Sequence, residues 1–341
     1  MHKRLVDLIT PYNSISIIGM SKNAGKTTVL NKIIDECQER DIKLGLTSIG
    51  RDGEDIDIVT STAKPKIYVT KGTFIATASD LLKKSDITKE IMRLTDINTP
   101  MGEVVIVRAR SDGYVQIGGS SIGNQVTGLI DDFIKLGADK VLVDGAISRK
   151  TFSNPIISDA TILSTGASLS ADMDRVVCET VLAAKLLTFS TLDDGHARNV
   201  AASLSQLSEK FSAIMPDYSV KHIDLTNRSN ITSDAKYIFA SGAISDSIMN
   251  KLIMSNINLR GVKIIVNDGS KLFLTERTLE KIELKGAEIV VLRPINLLAI
   301  TINPVSTAGY RFDKYAFKES LEQLLTIPIY NVVDEEGGVL E

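Results

Sequence analysis

The sequence predicts an α/β protein: a mostly parallel β-sheet flanked by helices, followed by a second α/β domain. Three observations carry this expectation. Short apolar, β-branched runs alternate with segments of helical spacing along the whole chain, the pattern of repeated strand–helix–strand units. The chain has 341 residues, enough for two domains of about 100–200 residues each. Hydrophobic residues make up 43% and charged residues 24%, an ordinary balance for a globular core.

Taken in order, residues 1–10 read as a short surface helix. It begins basic, but Asp7 and the lack of a long apolar core argue against a signal peptide. No apolar run approaches the roughly 20 residues needed to span a bilayer. Residues 15–18 form the first strand. Val29, Leu30, Ile33, Ile34 and Cys37 then recur at helical spacing. Strands follow at 43–49 and 66–70, then a Thr- and Ala-rich segment at 72–82 and a β-branched strand at 103–110. A glycine-rich return covers 113–121, and a helix 122–136. Residues 140–144 are a short strand ending in Asp144, 159–165 another strand, and 171–189 a long helix. The pattern breaks at 190–197, which predicts domains at 1–190 and 191–341. In the second, strands are expected at 237–240, 262–266, 289–292, 297–302 and 327–333, and helices at 197–213, 245–254, 276–285 and 313–325.

Composition excludes several classes. The net charge is −3, with no basic block and no tryptophan, so a nucleic-acid surface is not expected. The two cysteines, Cys37 and Cys178, occupy apolar helical positions and read as buried small hydrophobes, consistent with a reducing cytoplasm. Three histidines and two cysteines leave little for a zinc site.

The most informative stretch is 14–34. An apolar strand ends at Gly19, a turn follows, and Gly25-Lys26-Thr27-Thr28 opens an amphipathic helix. Phosphate groups are held by backbone N–H groups at a helix N-terminus, a lysine charge and a hydroxyl on Mg²⁺. Gly25 lets the backbone approach closely, Lys26 would reach the β- and γ-phosphates, and Thr27 would hold the metal. Lys22, Asn23, Ala24 and Thr28 complete the candidate nucleotide contacts. This predicts a phosphate-loop NTPase-like first domain using ATP or GTP with Mg²⁺. One departure stands out: the usual pattern has glycine at position 20, where this chain has Met20, and Gly19 lies one step early.

Asp144 ends a short apolar strand, the place of a metal-coordinating acid in such proteins; the same residue type also caps turns after strands. Lys26 and Asp144 are the candidate catalytic residues. Arg51 and Asp52 follow the second strand, and ligands of open α/β sheets bind at the carboxyl ends of strands. Arg51 would touch phosphate and Asp52 the metal, alongside Thr27 and Asp144; a solvated polar turn fits the same residues. Arg108, Arg110 and Asp112 are expected near that rim. Asp194-Gly195-His196 resembles a cobalamin-ligating Asp-x-His signature, but Asn199 stands in place of its glycine, and an aspartate capping the next helix explains it better. No nucleophile–His–Asp set and no dinucleotide fingerprint is present.

The 22–28 segment behind its strand is similar to the loop of MobB-type proteins of molybdenum-cofactor assembly, which belong with dethiobiotin synthetase to one broad class of phosphate-loop proteins; this similarity covers about the first 60 residues. A longer likeness runs through residues 22–27, 45–54, 113–117, 143–147 and 158–163, which together resemble the reactivase of lysine 5,6-aminomutase, its non-MutS-like subunit. The resemblance covers roughly residues 15–170. It implies an ATP- and Mg²⁺-dependent chaperone-like factor that releases damaged cobalamin from an adenosylcobalamin enzyme. Its partners would be a MutS-like ATPase subunit and the aminomutase, with no nucleic acid and no membrane involved; self-association into a homo-oligomer stays open. The alternative is a dethiobiotin synthetase-like or MobB-like protein acting on a small molecule or cofactor.

Overall fold

The computed structural model describes residues 4–50, 67–145, 157–205, 209–224, 234–255 and 257–332. The fold is mixed α/β, and the chain divides into two compact units, residues 1–180 with 296–341, and residues 181–295. Among the described residues no helix is long and apolar enough to cross a membrane.

The first unit opens with α1 (Leu5–Ile9) and β1 (Ser14–Gly19), whose six residues are all buried. α2 (Lys26–Gln38) buries Val29, Leu30, Ile33, Ile34 and Cys37, the stripe that the 3.6-residue spacing predicts. Next come β2 (Leu44–Ile49), β3 (Ile67–Val69), β4 (Phe74–Ala78), α3 (Ser79–Lys83), β5 (Lys89–Thr99), β6 (Gly102–Ala109) and β7 (Gly113–Val115). α4 (Gly123–Lys135), β8 (Lys140–Gly145), β9 (Ala160–Gly166) and the start of α5 (Met173–Leu187) follow; α5 runs on past residue 180 into the second unit.

The second unit contains α6 (Gly195–Leu204), β10 (Phe211–Ile214), β11 (Val220–His222), β12 (Tyr237–Ala240) and β13 (Ile244–Ser245). It continues with α7 (Asp246–Ile253), β14 (Lys263–Val266), β15 (Leu272–Phe273), α8 (Glu276–Leu284) and β16 (Glu288–Val291). Its five-stranded sheet runs β11-β10-β12-β14-β16. β12, β14 and β16 are parallel, and β10 is antiparallel to both its neighbours. Met249, Leu252, Leu279 and Ile282 of α7 and α8 join Ile238, Ile264 and Ile289 in one core, while Ala197 and Ala201 of α6 pack with Phe239 and Ile265.

The chain then returns to the first unit as β17 (Leu297–Asn303), α9 (Lys314–Glu322) and β18 (Ile329–Asn331). This differs from the expected 191–341 domain. Ala299, Ile300, Thr301 and Ile302 are all buried, so β17 needs cover on both faces and a neighbour on each edge. It finds them between β9 and β18. The completed sheet has nine strands, β18-β17-β9-β1-β8-β2-β4-β6-β5. The seven from β18 to β4 are parallel, and β6 and β5 are antiparallel additions.

Two further expectations are corrected, and one long strand was not foreseen. The helix expected over 197–213 ends at Leu204, and Phe211–Ile214 is a strand because its four residues are all buried beside β12. β5 was not expected. Cys37 is buried but Cys178 is exposed, on the solvent side of α5.

Candidate functional site

All seven parallel strands of the first sheet end on one rim. The chain leaves β1 toward β2 on one side and leaves β9 toward β17 on the other, so the strand order reverses between β1 and β9. Such a switch point opens a crevice beyond the carboxyl ends of the strands.

The loop between Gly19 and Lys26 sits at this crevice. Two left-handed residues shape it, Asn23 at φ 59° and Gly25 at φ 94°. Asparagine is among the few residues with a side chain that visit this region readily, and glycine does so at no steric cost. Gly25 is the N-cap of α2 and brings no side chain to cap it, and the first turn carries no acid. The positive end of the helix dipole therefore faces the loop, an arrangement suited to an anion.

Lys26 folds back across the end of β1. A Cβ added at Gly19 would lie 3.0 Å from each of its Cγ, Cδ and Nζ atoms. Gly19 thus clears room for the lysine stem, one position ahead of the usual glycine. At position 20 the Met20 N–H donates to Ser164 O at 2.9 Å. The Met20 Sδ lies 3.4 Å from Thr180 Oγ1 on α5, so this side chain is packed against a helix rather than filling the loop. Ser21 Oγ pairs with Ser168 Oγ at 2.7 Å. Lys22 and Thr28 are exposed, Ala24 is buried, and Thr27 is half-buried at the start of α2.

Asp144 lies one strand over. In register it faces Ile17 of β1 and Ser48 of β2, on the same rim as the loop. Arg51 and Asp52 fall outside the described residues. The end of β2 is nonetheless fixed: the Gly50 N–H donates to Ser120 O at 3.2 Å. The Gly118 N–H donates to Thr77 Oγ1 at 3.1 Å. A Cβ at Gly119 would fall 2.3 Å from Ser48 O, so the glycine-rich return presses its backbone onto the ends of β2 and β4.

Arg108, Arg110 and Asp112 are not on this rim. β6 runs antiparallel and pairs Arg108 with Phe74, the first residue of β4; the Arg110 guanidinium meets Glu90, and Asp112 accepts from the Lys71 N–H. Residues missed from the sequence lie on the other wall of the loop. Asn303, at the end of β17, donates through Nδ2 to Asn23 O at 3.3 Å, and Asn23 Nδ2 donates to Thr307 Oγ1 at 3.3 Å. The available signal was a polar residue closing the apolar run 297–302.

In the second unit Asp194 caps α6, as expected. Its carboxylate accepts from the Ala197 N–H and from the Tyr237, Tyr218 and Lys236 side chains. The Ala197 N–H and the Tyr237 hydroxyl hold it well below the usual carboxylate range. His196 stacks obliquely on Tyr218. Among the described residues no group of three or more His, Cys, Asp or Glu side chains is placed to hold a metal ion. A nucleotide-bound Mg²⁺ makes a smaller demand, because phosphate oxygens and water supply most of its ligands. The Thr27 hydroxyl and the Asp144 carboxylate are hard oxygen donors of the type it takes.

No protein-family model matches the chain, and no curated protein or solved structure matches it significantly.

Proposed function

We propose that this chain binds a nucleoside triphosphate with Mg²⁺ on the 19–28 loop and uses it to drive a protein partner, as a reactivating factor for an adenosylcobalamin-dependent lysine 5,6-aminomutase. The observation that carries the nucleotide part is Lys26 folded back over Gly19 beside the start of α2. Backbone N–H groups of 21–27 would receive the phosphates, with Lys22, Asn23 and Thr28 at the edge of the loop. Lys26 would place its charge on the β- and γ-phosphates. Thr27 and Asp144 would hold Mg²⁺, joined by Asp52, and Arg51 would meet phosphate. When bound, the ion neutralises charge on the phosphate oxygens. The protein's share is positioning and electrostatics.

The aminomutase part rests on the resemblance of the sequence blocks at 22–27, 45–54, 113–117, 143–147 and 158–163. In that role this chain works with a MutS-like ATPase subunit, and nucleotide turnover drives release of the inactivated cobalamin. Its test is a recovery assay. Inactivated aminomutase regains activity with this chain, the partner subunit and ATP; no recovery and no ATP-dependent association would reject this role.

A second reading is favoured by the backbone of 118–120 lying across the ends of β2 and β4, which walls the rim as a small-molecule pocket would. A dethiobiotin synthetase-like enzyme, phosphorylating a small carboxylic acid, releases phosphate with that acid and without a protein partner. Preference for GTP over ATP would point instead to a MobB-like accessory protein.

A further inference from the structure

We propose that Asn303 is a positioning residue for the phosphate-binding turn, supplied by the returning strand from outside the motif. The inference rests on the nucleotide reading above and adds to it the group that holds the loop in its receiving shape.

Asn303 is fixed at both ends of its side-chain amide and at its backbone oxygen. Its Nδ2 donates to Asn23 O at 3.3 Å, and its Oδ1 accepts from the Val305 N–H at 3.1 Å. These two bonds also settle which end of the amide is nitrogen. Its backbone oxygen accepts from the Ala167 N–H at 2.9 Å. Two glycines make room for it. A Cβ at Gly25 would lie 3.3 Å from Asn303 Cβ, and one at Gly166 would fall 2.1 Å from Asn303 O. Asn303 is therefore wedged between the loop and the end of β9. The neighbouring Thr307 takes up the Asn23 side chain.

The consequence follows from peptide geometry. In a trans peptide the carbonyl of one residue and the N–H of the next point in opposite directions. Anchoring the Asn23 carbonyl on Asn303 turns the Ala24 N–H away from Asn303, toward the side on which an anion would be received. Asn303 and Thr307 hold the left-handed Asn23 at its carbonyl and its side chain. Residues 303–307 are thus part of the nucleotide site, though about 280 positions from the motif in sequence.

The test is Mg–ATP binding by calorimetry at pH 7.5 and pH 5.0, with wild type and Lys26→Ala measured alongside and thermal melts as a folding control. Asn303→Ala removes the donor and weakens binding about tenfold, the size of one hydrogen bond. Asn303→Asp is isosteric but cannot donate when ionised, and it sets a carboxylate against the Asn23 carbonyl near the phosphates. It weakens binding more than Asn303→Ala at pH 7.5. It recovers toward wild type at pH 5.0, relative to the wild-type change, as the acid protonates and donates again. Asn303→Ala shows no such recovery. If Asn303→Ala does not fold, the pH ratio of Asn303→Asp decides. Wild-type affinity in both variants while Lys26→Ala loses binding overturns this inference alone. Absence of binding by wild type, or full binding by Lys26→Ala, overturns the nucleotide reading beneath it.

Discussion

Gly19→Ala separates the placement of the lysine from its charge. Carbon atoms in contact sit about 3.5–4.0 Å apart, whereas a Cβ at Gly19 would be 3.0 Å from the Lys26 Cγ, Cδ and Nζ. The lysine must retreat by roughly half an ångström to one ångström. It is a flexible side chain, so the fold accommodates the shift. Gly19 lies in a strand and not among the residues with positive φ, so alanine adds no backbone strain there. Removing a glycine from the unfolded chain contributes about 0.4–1 kcal/mol of stability. The nucleotide site responds the other way. A hydrogen bond to a charged group is worth about 1.5–3 kcal/mol, and displacing its donor forfeits about half. Affinity for Mg–ATP then falls about fivefold. Calorimetric titration and a thermal melt read the two effects, and their opposite signs identify the cause. Unchanged affinity, or a melting temperature several degrees lower, would refute the reasoning.

Glu36 is only 3% exposed, and its Oε2 accepts from the Val6 N–H at 2.8 Å. Glu36→Ala leaves that donor buried and unsatisfied, at a cost of about 1–3 kcal/mol. The melting temperature falls by several degrees while nucleotide affinity stays constant; Glu36→Gln, which keeps an acceptor, loses less. Burial pushes the Cys37 thiol up to about 12, whereas Cys178 is exposed. A disulfide reagent at pH 7.5 labels Cys178 in the folded protein and Cys37 only on unfolding, read by peptide mass spectrometry; prompt labelling of Cys37 contradicts its burial. The Asp194 carboxylate is depressed by the Ala197 N–H and the Tyr237 hydroxyl. A group lowered on folding stabilises above its unfolded value, about 3.9, and that contribution is lost as pH falls through the folded value. Asp194→Asn therefore melts below wild type at pH 7, and the gap narrows progressively below about pH 4. A gap that stays constant with pH would show that the charge plays no part.

Local structure was legible where local sequence determines it. β1, α2, β8 and β9 carry uninterrupted apolar runs or a clear helical stripe, and each lies within a residue or two of its expected position. β5 lacked such a signal. Its register against β6 shifts between Ile91 and Arg93 and again between Leu94 and Asn98. The two irregularities break the alternation that marks a half-buried strand. Exposed Ile91 and Leu94 add to the confusion. The helix expected through 213 failed for a related reason: Phe211–Ile214 reads Phe-Ser-Ala-Ile, buried throughout, and so short a run fits either period.

The candidate site was half legible. The motif puts Gly25, Lys26 and Thr27 together, because one turn contains them all. Asp144 could be placed on the same rim because it ends a buried strand, and parallel neighbours bring such ends to one rim. Asn303 was missed: it closes an apolar run, but nothing in residues 297–303 announces pairing with β9. Strand order is a non-local property, and it also moved 296–332 out of the second unit and Arg108 off the rim. Met20 departs from the usual motif. The structure gives it a partner in Thr180 and gives its neighbour Gly19 the task of admitting the lysine.

The most direct measurement is calorimetric binding of Mg–ATP and Mg–GTP to wild type and to Lys26→Ala, with melts confirming that both fold. The account predicts saturable, Mg²⁺-dependent binding of one nucleotide per chain by wild type, weakened at least tenfold in Lys26→Ala, the size of a lost hydrogen bond to a charged group. Equal binding by the two proteins, or none by wild type, would contradict it.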